Sequence, residues 1–270
     1  MRAPLAALAL LLAPLTGASA QTSEAPARPA WPPPNVEVQS PGEGMMEQPC
    51  PAQEGLWFGH PWILANDWAW MCRYRADNQR VLQSGQRPDV VFIGDSITEG
   101  WARIDAGYFG TSRIGRGIGG QTSPQILLRF SQDVVALRPR VVHIMIGTND
   151  IAGNTGPNSP QAWQDNIRAM VAIARANGIA VILGSIPPAD RFDWRPALTP
   201  APRIAELNRW LRDYAATEHL TYADYHSALT TSAGALDPAY GTDGVHPDAR
   251  GYAVMRPIAD RAIAQALRRQ

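Results

Sequence analysis

The sequence predicts an α/β protein in which a parallel sheet is covered on both faces by helices. From Asp89 onward, short β-branched runs alternate with longer amphipathic stretches. The runs are nearly continuous in apolar residues, the pattern of strands buried on both faces. A chain of 270 residues, 45% of them hydrophobic, is long enough for one such core plus a short extra segment.

Strands are expected at 89–94 (DVVFIG), 112–118 (SRIGRGI), 140–147 (RVVHIMIG), 179–186 (IAVILGSI) and 220–225 (LTYADY). Helical periodicity fills the intervals at 98–105, 123–137, 160–177 and 201–218, with a last helix at 247–267.

The N-terminus reads differently. MRAPLAALALLLAPLTGASAQ joins an early arginine to an apolar run over 5–15 and to the small-residue pattern Ala18-Ser19-Ala20, which predicts a signal peptide over 1–20 and export to the periplasm or beyond. The run is shorter than the roughly 20 residues of a spanning helix and is interrupted by Pro14, so no stable membrane insertion is expected. Residues 21–56, with Pro32, Pro33 and Pro34, read as an extended arm or linker. Residues 57–88 read as a tryptophan-rich helical segment in which Asn66 or Asp67 caps a helix and Trp57, Trp62, Trp68 and Trp70 anchor it to the core. Residues 89–270 form the main domain. Cys50 and Cys72 are the only cysteines, and in an oxidising compartment they are expected to pair.

Composition excludes some partners. The 24 basic and 24 acidic residues cancel, leaving no electrostatic footprint for nucleic acid. His60, His143, His219 and His226 are scattered without metal-ligand spacing, so no metal site is expected. His143, inside a predicted strand, reads as a sheet residue.

In parallel sheets, ligands bind beyond the carboxyl ends of the strands. Ser96 follows the first strand in FIGDSITEG, where a serine can also be a helix cap. Thr98 stands where a G-x-S-x-G elbow would end in glycine, which disfavours that turn. Asn149 follows the third strand in GTND, as an amide donor or a turn residue. In GTDGVHPD, Asp243 and His246 lie three residues apart and could supply a base and the group that orients it, while His226 is the rival base. GRGIGG (115–120) satisfies a dinucleotide-binding spacing, but it follows the second strand and the next acidic residue, Asp133, is too close to hold a ribose. Its glycines suit a tight turn that presents backbone N–H groups to a ligand.

Together, GDSI with Ser96, GIGGQT with Gly119 and Gly120, GTND with Asn149 and DGVHPD with Asp243 and His246 resemble the SGNH, or GDSL-type, hydrolase family in order over about residues 89–265. The phrases are most similar to the branch that includes the platelet-activating-factor acetylhydrolase catalytic subunits and bacterial carbohydrate acetylesterases. The resemblance implies a three-layer α/β/α fold with a five-stranded, flavodoxin-like parallel sheet. It further implies Ser96 as nucleophile, His246 as general base then acid, Asp243 as its orienting partner, and an oxyanion hole made by the Ser96 and Gly120 N–H groups and the Asn149 amide. No cofactor is implied. The expected substrate is a small-molecule or polysaccharide ester of a short acyl group, acetylated carbohydrate first and a short-chain or lysophospholipid ester second. Acyl transfer to a sugar and non-catalytic carbohydrate binding are the other classes left open.

Overall fold

A computed structural model of the protein describes residues 50–269. The expected signal peptide and most of the proline-rich stretch lie outside the described residues.

Five short strands form one parallel sheet: β1 (Val90–Gly94), β2 (Arg113–Gly117), β3 (Val141–Met145), β4 (Ala180–Gly184) and β5 (Thr221–Ala223), in the order β2-β1-β3-β4-β5. This is the flavodoxin-like order, and the chain changes direction across the sheet between β1 and β3. Register is in step across the centre, with Phe92 level with Gly115 on one side and His143 on the other.

Alternation along the strands assigns the two faces. Val91, Ile93, Val142, Ile144, Val181 and Leu183 pack beneath α4 (Ser123–Asp133), α6 (Pro160–Ala176) and α7 (Pro200–Thr217), whose apolar stripes include Phe130, Trp163, Met170 and Leu211. Val90, Phe92, Val141, Met145 and Ile182 face α3 (Ser96–Ile104) and α9 (Ala249–Arg268), through Ile97, Trp101, Tyr252 and Met255. Trp101 stacks on Tyr252 with ring centroids 5.7 Å apart, and the Tyr252 hydroxyl donates to the Ile97 carbonyl at 2.9 Å. The first turn of α3 is thereby fixed to the helix that follows His246.

Local details depart from the sequence expectations. The helix expected over 123–137 ends at Asp133, and a 3₁₀ turn at Val135–Leu137 closes on Arg138 in the left-handed region (φ 51°). In the N-terminal segment, α1 (Pro61–Asn66) stops at Asp67 and α2 (Arg75–Gln83) begins later. Asp67 therefore caps no helix start; its carboxylate instead accepts the N–H groups of Met71 (2.6 Å) and Cys72 (2.9 Å) in the turn between them. Cys50 and Cys72 form a disulfide. The tryptophans divide: Trp70 is buried with Ile63 and Ile118, whereas Trp57 and Trp68 are 59% and 37% exposed. Trp62 is partly buried against the same small core, so two of the four indoles anchor the segment, and the anchoring role expected of Trp57 and Trp68 does not hold.

Candidate active site

Ser96 opens α3 directly after β1. Asp95 is the N-cap, its Oδ1 accepting the Ile97 N–H at 3.0 Å, so the serine stands in the first turn, where backbone N–H groups have no helical partner. Asp95 is buried, and desolvation pushes its carboxyl up to about 6.

His246 reaches this edge from the loop before α9. Its Nε2 is 2.9 Å from Ser96 Oγ, and its Nδ1 is 2.7 Å from Asp243 Oδ2. The other Asp243 oxygen accepts the backbone N–H groups of His246 (2.7 Å) and Val245 (2.9 Å). Partial burial opposes ionisation of Asp243, but these donors and the imidazole outweigh it and hold the carboxyl below its usual range. The three-residue spacing works because the aspartate folds back over its own loop. An ionised carboxylate at Nδ1 favours the tautomer whose Nε2 can accept the Ser96 proton.

The GRGIGG turn lies beside the serine. A Cβ added to Gly119 would come within 3.7 Å of the Ser96 Cβ. The Gly119 N–H is occupied, donating to Glu99 Oε2 at 2.8 Å. That of Gly120 has no acceptor among the described residues. Gly120 sits at φ 77°, and a Cβ there would overlap the Phe58 ring, so both backbone and neighbour require glycine.

Asn149 is buried in the short helix α5 (Thr148–Ala152), not in the plain turn that its position after β3 suggested. Its Nδ2 donates to the Gln121 carbonyl at 3.0 Å and its Oδ1 accepts from Asn154 at 2.8 Å. These two bonds fix the amide orientation and leave one N–H of Nδ2 uncommitted.

Beneath this edge lies Arg129, fully buried on α4. It donates to the Gly94 carbonyl (2.9 Å), the Arg116 carbonyl (2.8 Å), Gln121 Oε1 (2.6 Å) and Asp133 (3.0 Å). One guanidinium thus ties the end of β1 to β2 and to the glycine turn. Neither Arg129 nor Glu99 stood out in the sequence, because each belongs to a helix whose pattern explains it without a site.

The remaining histidines take other positions. His143 is buried against the Tyr225 hydroxyl at 2.8 Å, and desolvation drives its imidazole down to about 3, which suits a neutral sheet residue. His226 begins α8 (His226–Leu229) after β5, half-buried, with its imidazole also lowered by desolvation; its backbone N–H bonds Ser185. It takes no part in the contact with Ser96. Among the described residues, no group of three or more His, Cys, Asp or Glu is arranged to hold a metal ion, and no helix is long and apolar enough to cross a membrane.

Residues 92–254 match the model of the GDSL-like lipase/acylhydrolase family. The chain belongs to that family. It is an ester-hydrolysing enzyme, and its fold and sheet are those of the family's solved members. A Bacteroides fragilis protein that bears a provisional acylhydrolase name is 45% identical, superposes with a TM-score of 0.71, and is matched over 75% of this chain and 99% of its own. An acetylxylan esterase of Geobacillus stearothermophilus, 21% identical and matched over 64% of this chain and 93% of its own with a TM-score of 0.53, shares the fold. The uncharacterized lipoprotein YqeF of Bacillus subtilis (strain 168) is 34% identical over 113 residues, 35% of this chain and 46% of that protein. The match thus spans about half of that relative's length.

Proposed function

We propose that this esterase removes short acyl groups, acetyl foremost, from carbohydrate outside the cytoplasm, with Ser96 as nucleophile. The observation that carries the catalytic part is the unbroken relay from Ser96 Oγ to His246 Nε2 (2.9 Å) and from His246 Nδ1 to Asp243 (2.7 Å) at the carboxyl end of β1.

The cycle follows from those contacts. Ser96 Oγ attacks the ester carbonyl as His246 takes its proton, and Asp243 stabilises the imidazolium. Negative charge on the carbonyl oxygen is met by the Ser96 and Gly120 N–H groups and the free N–H of Asn149 Nδ2. The carbon–oxygen bond to the alcohol breaks, with His246 returning the proton to the departing oxygen. Water, deprotonated by His246, then releases the acid and restores Ser96. Occupation of the Gly119 N–H by Glu99 favours Gly120 as the donor from the turn.

A short acyl group is supported by the Phe58 ring, which packs against Gly120 beside the N–H proposed to receive the carbonyl oxygen. Export is supported by the N-terminal pattern of the sequence, by the disulfide, which persists in oxidising compartments, and by the lipoprotein relative.

The test compares wild type with Ser96→Ala and Asn149→Ala on p-nitrophenyl acetate. A loss of about 10²-fold or more in kcat for Asn149→Ala, and a larger loss for Ser96→Ala, is expected. Equal turnover by Ser96→Ala would sink the nucleophile. Acetate release from acetylated xylan, measured against fatty-acid release from lysophospholipid, decides the substrate class; faster lipid turnover would reverse it.

A further inference from the structure

A cleft of about 860 Å³ contains Ser96, Asp243 and His246, and a second one adjoins it. The second has a volume of about 340 Å³ and is lined by Gln53, Trp57, Trp70, Arg73, Glu99 and Gly119, among others. Arg73 and Glu99 line both clefts and pair with each other at 3.3 Å, so the two spaces meet at this pair. All of the cleft except Glu99 and Gly119 comes from residues 53–73, most of them inside the loop closed by Cys50 and Cys72.

Its surfaces are of two kinds. The indole of Trp57 lies close over Gly59, where an added Cβ would overlap the ring, yet the residue is 59% exposed. The ring therefore has main chain close on one side while more than half of the residue stays open. Trp70, by contrast, is buried, its indole N–H donating to Gln53 Oε1 at 2.8 Å. The polar wall is the Arg73–Glu99 pair, each side chain 35% exposed. It offers guanidinium donors and carboxylate acceptors with no net charge, and among the described residues no other charged side chain lines the cleft.

An exposed indole sharing a cleft with a neutral donor–acceptor pair suits a ring that is apolar on its faces and hydroxylated on its edge. A fatty acyl chain would meet the ion pair, and because Arg73 is already paired with Glu99 the wall has no uncompensated cation to favour an acidic sugar over a neutral one. We infer that the disulfide-closed segment forms a leaving-group subsite for a neutral glycosyl ring, stacked on Trp57 and hydrogen-bonded to Arg73 and Glu99. This rests on the carbohydrate reading above and extends it to named residues, most of them outside the region matched by the family model.

The test reads binding without turnover. The full chain carrying Ser96→Ala is titrated calorimetrically with xylohexaose and, separately, with an oligogalacturonate of the same length. Expected is saturable binding of xylohexaose that weakens at least tenfold when Trp57→Ala is added, partly recovers with Trp57→Phe, and is unchanged by Trp68→Ala, an exposed indole outside the cleft. Absence of binding, binding indifferent to Trp57, or equal binding of the acidic oligomer overturns the subsite. If xylohexaose binds in this Trp57-dependent way while the wild-type protein leaves acetylated xylan untouched, the subsite stands and the deacetylation reading alone fails.

Discussion

Glu99 accepts the Gly119 N–H through Oε2 at 2.8 Å while its Oε1 holds Arg73 at 3.3 Å. A single carboxylate on the helix begun by Ser96 therefore joins the glycine turn to the N-terminal segment. It also occupies one glycine N–H of the turn, whereas the next, that of Gly120, has no acceptor among the described residues.

Glu99→Ala should release that peptide. Without the acceptor, the turn can rotate the Gly120 N–H away from the oxyanion position, and loss of one such donor typically costs about 10²-fold in kcat. The effect should fall on kcat for p-nitrophenyl acetate with little change in KM, because the hydrogen bond matters most when charge develops. Glu99→Gln keeps an amide oxygen as acceptor and should retain most of the rate. An alanine variant with wild-type kcat would remove Glu99 from this role.

Arg129 supports the same edge from below, and its charge is balanced by Asp133 at 3.0 Å, both side chains being fully buried. Arg129→Met should destabilise the fold by about 3–5 kcal/mol, since it strands a buried carboxylate. Asp133 would keep only its bond from Asn78 at 2.7 Å. Combining Arg129→Met with Asp133→Leu should recover much of this stability in urea unfolding. If the double variant is no more stable than the single one, the carbonyls of Gly94 and Arg116 depend on the guanidinium more than the charge balance does.

The sheet and the groups around Ser96 were legible because both depend on short-range pattern. Buried parallel strands leave apolar runs, and DSI, GIGG, GTND and DGVHPD each fall immediately after a strand or before a helix. The supports were less legible for physical reasons. Arg129 reaches four partners through the fold, and nothing near it in sequence marks a buried cation. Glu99 sits at an ordinary helix position. The N-terminal tryptophans could not be sorted into buried and exposed, because that depends on how a segment of weak periodicity folds around one disulfide and the satellite core of Ile63, Trp70 and Ile118.

That disulfide gives a third prediction. It joins positions 22 residues apart, and in the chain-entropy model closing such a loop contributes roughly 3 kcal/mol. Much of that should appear locally, because Arg73 adjoins Cys72 and the Phe58 ring lies against Gly120. Cys50→Ser with Cys72→Ser should lower Tm and reduce kcat/KM on acetylated oligosaccharide more than on p-nitrophenyl acetate. Mild reductant should reproduce the change in wild type and have no effect on the double variant. An equal loss on both substrates would mean that the segment supports the fold without shaping the site.

Asp95 gives a pH prediction that differs from the usual behaviour of a carboxylate. Its pKa is raised by desolvation from 3.8 to about 6 in the folded protein, so the folded state holds the proton more tightly than the unfolded chain. Stability from this group is therefore full below about pH 4 and is lost as pH rises toward 6, after which the loss is constant. A rise of that size corresponds to about 3 kcal/mol. Asp95→Asn stays neutral and can still accept the Ile97 N–H through its amide oxygen, so it should be more stable than wild type at pH 7 to 8. The difference should shrink toward zero near pH 4. Urea unfolding of both proteins across pH 4 to 8 measures this; a difference independent of pH would show that Asp95 is not raised, and a variant less stable at pH 8 would show that the ionised carboxylate is the better cap.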